Sequence, residues 1–375
     1  MTAKNIEWRK LERYLNWPIR DFSMLKVERE GIILKPTKLA FENEGVFNPG
    51  CIRVGKHVHM FYRAFSKKKR STIGYCKLEG PLDVVERAEK PVLRSEYKYE
   101  KNLEDPRIVF LDGKYYMTYA AYDGQNVRLA YAVSDNLIDW EKKGIILPDL
   151  SYDRAEDYFR ACKLRLKERY FLFESYFKDR GGKDVLLWNK DHFFFPKKIN
   201  GNFALFHRIL PDMQLIYFKD FKELTPGFLR NYLKNLCEYV VLESTFWYES
   251  RNIGGGCPPI ETDKGWLLIY HAVDDMDRGK IYRAGAALLD KKDPTKVIGH
   301  LEEPLFSPEK SWERKGDVNN VVFPTGAAVF GKKLYIYYGA GDKYVAAASV
   351  SMSSLLRELS KKRDHNYFLY RNIKI

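Results

Sequence analysis

The chain has 375 residues, with 64 Lys and Arg against 50 Asp and Glu, for a formal net charge of +14 at pH 7. At about 150 residues per domain that length permits two ordinary domains or one large repetitive one, and 45% hydrophobic with 15% aromatic residues excludes a disordered chain. No uninterrupted apolar run reaches the roughly 18 residues of a membrane span, and Cys51, Cys76, Cys162, Cys237 and Cys257 form no CxxC pair, so we read them as reduced thiols, mostly in the core.

The start, MTAKNIEWRKLERY, is charged where a secretory signal needs an apolar core, which leads us to expect a soluble, cytoplasmic protein. IEWRKLERYL has helical spacing and belongs to an N-terminal arm over about 1–40. A short aromatic pattern then recurs: HVHMFYRAF at 57–65, KYYMTYAAYD at 114–123, RYFLFESYF at 169–177, NFALFHR at 202–208, GWLLIYHAV at 265–273 and KLYIYYGAGD at 333–342. Each reads as a strand, most following a Gly-containing or charged turn such as LDGK, INGN, TDKG or FGKK. VRLAYAVS at 127–134 and YRAGAALLD at 282–290 read as partner strands, and the run Lys67 to Arg70 as a solvated loop tip. Helical spacing returns at 228–240 and at 353–363, the latter with Ser353 as a cap, and these segments read as packing or oligomer elements compatible with a homo-oligomer. No Pro/Gly/Ser-rich linker divides the chain, so the expectation is a single domain over 1–375 with insertions at about 150–185 and 212–248.

Many short strands with little helix between them predict an all-β fold with short peripheral helices, built either as a β-propeller or as two sandwiches. Strand copies end on Arg63, Asp123, Glu174, Arg208, His271 and Asp342, which a propeller can gather around one channel. That favours the propeller.

In NLEDPR, Asp105 precedes a proline, which predicts extended backbone, and Arg107 can orient it; the carboxylate is a general-acid candidate, with a plain turn carrying a surface ion pair as the alternative. Arg63, Lys190, Arg208 and His271, with Arg251 and Asn252 before the glycine run Gly254 to Gly256, would bind an anion such as phosphate if they face one channel. The glycine run lacks GxxxxGK[ST] and ends in two prolines, so it reads as backbone packed tightly near the channel rather than a nucleotide loop. Trp140 reads as blade packing rather than a sugar platform.

FNPG at 47–50, EDPRIVFLDGKYYMTYAAYD, NKDHFFFPKKINGNFALFHR, NIGGGCPPIETDKGWLLIYHAV, YRAGAALLDKKDP and VVFPTGAAVFGKKLYIYYGAGD, in this order, resemble glycoside hydrolase family 130, the β-mannoside phosphorylases and related mannosidases. The resemblance covers roughly 45–345 and implies a five-bladed β-propeller, so that one of the six strand copies, RYFLFESYF, falls in an insertion. It implies inverting phosphorolysis: Asp105 as general acid acting through the mannosyl 3-hydroxyl, inorganic phosphate as co-substrate attacking the anomeric carbon, and α-mannose 1-phosphate plus an acceptor sugar as products. Arg63, Lys190, Arg208, His271 and Tyr282 match phosphate-site positions, and Asn48, Arg107, Asp123, Asn252 and Asp342 match sugar-binding ones. Asn252 departs from the pattern, standing where the phosphorylases usually carry Lys. An inverting β-mannosidase therefore remains the alternative, needing a base among Glu174, Asp123, Glu249, Asp275 and Asp342, followed by a mannosyltransferase or a non-catalytic sugar-binding propeller. A β-mannoside oligosaccharide is the expected partner, with Tyr62, Tyr122 and Tyr282 as aromatic contacts. No metal, organic cofactor, nucleic acid or membrane is implied. Linkage (β-1,2 or β-1,4) and acceptor (mannose, glucose or N-acetylglucosamine) stay open.

Overall fold

The recurring aromatic strands are buried on both faces: in His57–Phe65, Met60 and Tyr62 face one way and Phe61 the other, all at 0% exposure. A strand of this kind needs a packed sheet on each side. The computed structural model describes residues 25–162, 166–276 and 279–361 and supplies those sheets in a ring, a five-bladed β-propeller.

Strand β1 (Glu28–Leu34) precedes the first blade, which holds β2 (Gly45–Val54), β3 (His57–Phe65), β4 (Ser71–Glu79) and β5 (Asp83–Arg87). The second blade holds β6 (Asn102–Leu111), β7 (Lys114–Tyr122), β8 (Val127–Ser134) and β9 (Glu141–Ile145). The third holds β10 (Asn189–Phe194), β11 (Phe203–Ile209), β12 (Met213–Phe218) and β13 (Val240–Leu242). In the fourth, β14 (Asn252–Gly255) and β15 (Ile260–Glu261) both pair β16 (Trp266–Met276), followed by β17 (Gly279–Leu289) and β18 (Val297–His300). The fifth runs β19 (Val322–Phe330), β20 (Lys333–Ala340) and β21 (Tyr344–Ser351), and β1 completes it by pairing antiparallel with β21. Closing the last blade with the first strand ties the two ends of the ring together and leaves no open seam between blades.

Five apolar clusters lie between the five successive pairs of blades. Met60 and Tyr62 pack on Tyr337 and Ala347 of the fifth blade, while Phe61 packs with Leu103 and Met117 of the second. Burying each large side chain contributes about 1.5–3 kcal/mol, so alternation along one strand stabilises two interfaces. Trp140 meets Phe61 edge-on at 5.3 Å, as a packing residue. The 67–70 run is exposed in the β3–β4 turn.

Five of the six aromatic copies are the second strands of the five blades. The sixth, RYFLFESYF, is not a strand: it lies in helix α2 (Glu168–Gly181), which with α1 (Tyr152–Arg160) fills the segment between the second and third blades. Its buried residues are Tyr170 and Glu174, one helical turn apart, a period that its aromatic composition conceals. The 212–248 segment is only partly an insertion, because β12 and β13 belong to the third blade and α3 (Pro226–Leu233) lies between them. After α4 (Ser311–Arg314), helix α5 (Met352–Leu359) is capped by Ser351 rather than Ser353, the Ser351 side chain accepting from the Ser354 N–H. IEWRKLERYL lies outside the described residues. No helix among the described residues is long and apolar enough to cross a membrane.

Candidate active site

The innermost strands of the first three blades repeat one irregularity. Pairing slips between Phe47 and Gly50, between Glu104 and Arg107, and between Lys190 and Phe193. At each slip an Asn or Asp takes a left-handed backbone: Asn48 at φ 50°, Asp105 at 53° and Asp191 at 56°. Asn and Asp tolerate this region, and a bulge re-aims its side chain. Asp105 is therefore not in extended backbone, and its bulged conformation points it into the channel. Gly339 leaves room for Asn48, since a Cβ there would stand 1.9 Å from Asn48 Oδ1. The glycine run packs as tightly: a Cβ on Gly254 would lie 2.4 Å from the His271 ring and 2.6 Å from Asp191 Oδ2.

Asn48 Nδ2 donates to Asp105 Oδ1 at 2.7 Å, and Arg63 Nη1 stands 3.8 Å from the same oxygen. Glu104, beside the general-acid candidate, accepts from Arg63 Nη2 at 2.7 Å and from Lys190 Nζ at 2.9 Å. Burial opposes charge on Glu104, but Arg63 and Lys190 outweigh it and hold the carboxyl below its usual range. Burial likewise opposes the Lys190 ammonium, yet Glu104 and Asp105 hold it above its ordinary value. Asp191 plays the matching part for the third and fourth blades: Arg208 Nη1 lies 2.9 Å from Oδ2, Arg107 Nη2 3.4 Å from Oδ1, and His271 Nε2 3.7 Å from Oδ2. Despite burial, the Arg208 and Arg107 guanidinium groups keep Asp191 ionised well below the usual carboxylate range. His271, fully buried, is pushed down to about 3 by desolvation and is a neutral imidazole at physiological pH.

These groups surround a cavity of about 570 Å³. Asn48, Arg63, Asp105, Lys190, Arg208, Asn252, His271, Tyr282 and Asp342 line it; Arg107 and Asp123 do not. Arg107 is buried beneath the site, donating to the carbonyls of Asp105, Gly255 and Gly256 at 2.9, 2.7 and 3.0 Å, and so ties the second blade to the fourth. Asp123 accepts from the N–H groups of Gln125 and Asn126 and from Arg128, closing its own turn at the rim. Tyr62 is also outside the cavity, donating to Glu42 at 2.7 Å. Of the carboxylates considered as a base for water, only Asp342 lines the cavity: Glu249 is bonded to Tyr270 and His300, and Glu174 is paired with Lys178 on α2. Buried at the cavity, Arg208 Nε, Asn252 Nδ2 and both ring nitrogens of His271 have no hydrogen-bond partner among the described residues. Unpaired buried donors carry a desolvation cost that an anionic oxygen would relieve.

The sequence model of glycoside hydrolase family 130, described as beta-1,4-mannooligosaccharide phosphorylase, matches residues 27–361. The chain belongs to glycoside hydrolase family 130. It is 33% identical over 346 residues to a 1,2-beta-oligomannan phosphorylase of Thermoanaerobacter sp. (strain X514), covering 88% of this chain and 99% of that protein. A beta-1,2-mannobiose phosphorylase of the same organism is also 33% identical, with coverage of 88% and 97%. Among solved structures, the beta-1,2-mannobiose phosphorylase of Listeria innocua in complex with beta-1,2-mannobiose shares the fold, with a TM-score of 0.67 at 22% identity over 89% of this chain and 99% of that one.

Glu104 and Asp191 had no assigned role in the sequence reading of this family 130 chain, although each adjoins a residue that did. For Asp191 the signal was available: FNPG, EDPR and NKDHF each place an Asn or Asp at the bulge of an innermost strand.

Asp342 gives the family 130 site a measurable pH signature. Burial raises its carboxyl from 3.8 to about 6, with Arg63 opposing and Asp105, Asp317 and Glu104 adding to the rise. The folded chain then holds a proton that the unfolded chain releases, so this group's contribution to stability falls as pH rises from about 4 to about 6, by about 3 kcal/mol. Asp342→Asn should remove that slope. Urea unfolding of both proteins at several pH values checks it, and a wild-type-minus-variant difference that is flat across the window would refute it.

Proposed function

We propose that this chain is an inverting β-mannoside phosphorylase. The mannosyl unit sits against Asp105, and Arg63, Lys190, Arg208, His271 and Tyr282 receive inorganic phosphate. Asp105, held by Asn48, delivers a proton through the mannosyl 3-hydroxyl to the departing glycosidic oxygen. Phosphate attacks the anomeric carbon from the opposite face, the glycosidic bond breaks, and α-mannose 1-phosphate leaves with the shortened acceptor. The observation that carries this reading is the pairing of the bulged Asp105 with Arg63, Lys190 and Arg208 around one cavity whose free donors at Arg208 and Asn252 suit phosphate oxygens. Asn252 supplies a neutral donor where a lysine is usual, so phosphate is held with one fewer charge. The two relatives at 33% identity are named for β-1,2-linked mannosides, which supports β-1,2-mannobiose as the first substrate to try.

Purified protein incubated with β-1,2- or β-1,4-mannobiose should yield mannose 1-phosphate only when inorganic phosphate is present. Free mannose formed at the same rate without phosphate would overturn the phosphorylase reading in favour of hydrolysis.

A further inference from the structure

Charge at the cavity mouth exceeds what the inner site uses. Inside, Arg63, Lys190 and Arg208 are each bound to a carboxylate, Glu104 or Asp191. Outward, three further basic side chains line the same cavity: Arg180 at the end of α2, Arg251 just before β14, and Lys280 on β17, two residues before Tyr282 and on the same face. Asp275 pairs with Arg251 at 2.7 Å. The Lys280 side chain forms no ion pair or hydrogen bond among the described residues, and burial together with Arg251 and Arg180 pushes its ammonium below its ordinary value against the pull of Asp275.

The two arginines of this rim are held against aromatic rings. Arg251 lies over the rings of Phe173 and Tyr176 at 5.3 and 5.6 Å, and Arg180 lies over Tyr176 at 4.0 Å. Arg169 of the same helix donates to the carbonyls of Ser250 and Arg251, which ties α2 to the approach to β14. Long-range steering of a diffusing anion needs charge but no fixed geometry; stacked, pre-oriented guanidinium groups beside an aromatic shelf suit a bound group.

We propose that this rim is a subsite for an anionic group, a phosphate monoester or a carboxylate, carried by the sugar on the leaving-group side of the scissile bond. The inference rests on the phosphorylase reading and narrows its substrate class to β-mannosides of acidic sugars. With the mannosyl unit at Asp105 and inorganic phosphate among the inner cations, this assignment puts the leaving sugar toward the mouth.

The test runs the reaction in the synthetic direction, with α-mannose 1-phosphate as donor and mannose, mannose 6-phosphate or glucuronate as acceptor, for the wild type, Lys280→Ala and Arg180→Ala. At least one acidic acceptor should exceed mannose in kcat/KM by about tenfold or more, and that ratio should fall by about tenfold in the variants, as for loss of a charge-assisted contact. A preference for mannose 6-phosphate assigns the phosphate monoester, and one for glucuronate the carboxylate. Mannose used as well as either acid would overturn the subsite. So would variants that lower kcat/KM for every acceptor equally while raising the KM for mannose 1-phosphate, because the rim would then serve the donor. Absence of turnover with every acceptor would remove the phosphorylase reading and this inference with it.

Discussion

Asp105→Asn is expected to lower kcat for phosphorolysis by about 10²–10⁴-fold, the range a positioned general acid contributes. Asn is nearly isosteric, and its side-chain oxygen can still accept from Asn48 Nδ2, the contact that fixes Asp105 at 2.7 Å. The fold should survive, because Arg63 keeps its 2.7 Å bond to Glu104 when the more distant carboxylate loses its charge. Mannobiose binding measured by calorimetry should therefore change little while product formation collapses. A kcat within about tenfold of wild type would rule out Asp105 as the acid, since even the weak end of general-acid catalysis exceeds that.

Asp191→Asn should act through stability as well as activity. Its carboxylate lies between Arg208, Arg107 and His271, all nearly excluded from water, and Asn cannot neutralise the two guanidinium groups. Removing one partner of a buried ion pair leaves uncompensated charge and costs about 3–5 kcal/mol. Arg107 also bonds the carbonyls of Gly255 and Gly256, so its displacement would loosen the tie between the second and fourth blades. Denaturant unfolding should show the loss, and the KM for phosphate should rise as Arg208 reorients. A loss below about 1 kcal/mol, the scale of an exposed pair, together with an unchanged phosphate KM would mean that Asp191 does not hold the cation set.

The two variants draw on different layers of the molecule. Asp105 belongs to a motif visible along the chain, whereas Asp191 matters through residues 84 and 80 positions away, Arg107 and His271. The ring itself was legible because period-2 alternation of large apolar residues is a local property, and it recurs in β3, β7, β11, β16 and β20. The same criterion misread residues 169–177, where aromatic composition imitates a strand and only the 3.6-residue spacing of Tyr170 and Glu174 identifies a helix.

Sequence by itself determined the repeated strands, the order of the motifs and the residue types available for acid catalysis and anion binding. Tertiary structure alone decided which of them meet. The left-handed bulges at Asn48, Asp105 and Asp191 aim side chains from three blades into one cavity, while Asp123 turns back on its own loop and Arg107 drops beneath the site. The physical reason is that a charge's partner is fixed by the closure of the ring. Glu104 joins Arg63 to Lys190 across three blades, and no spacing along the chain encodes that contact.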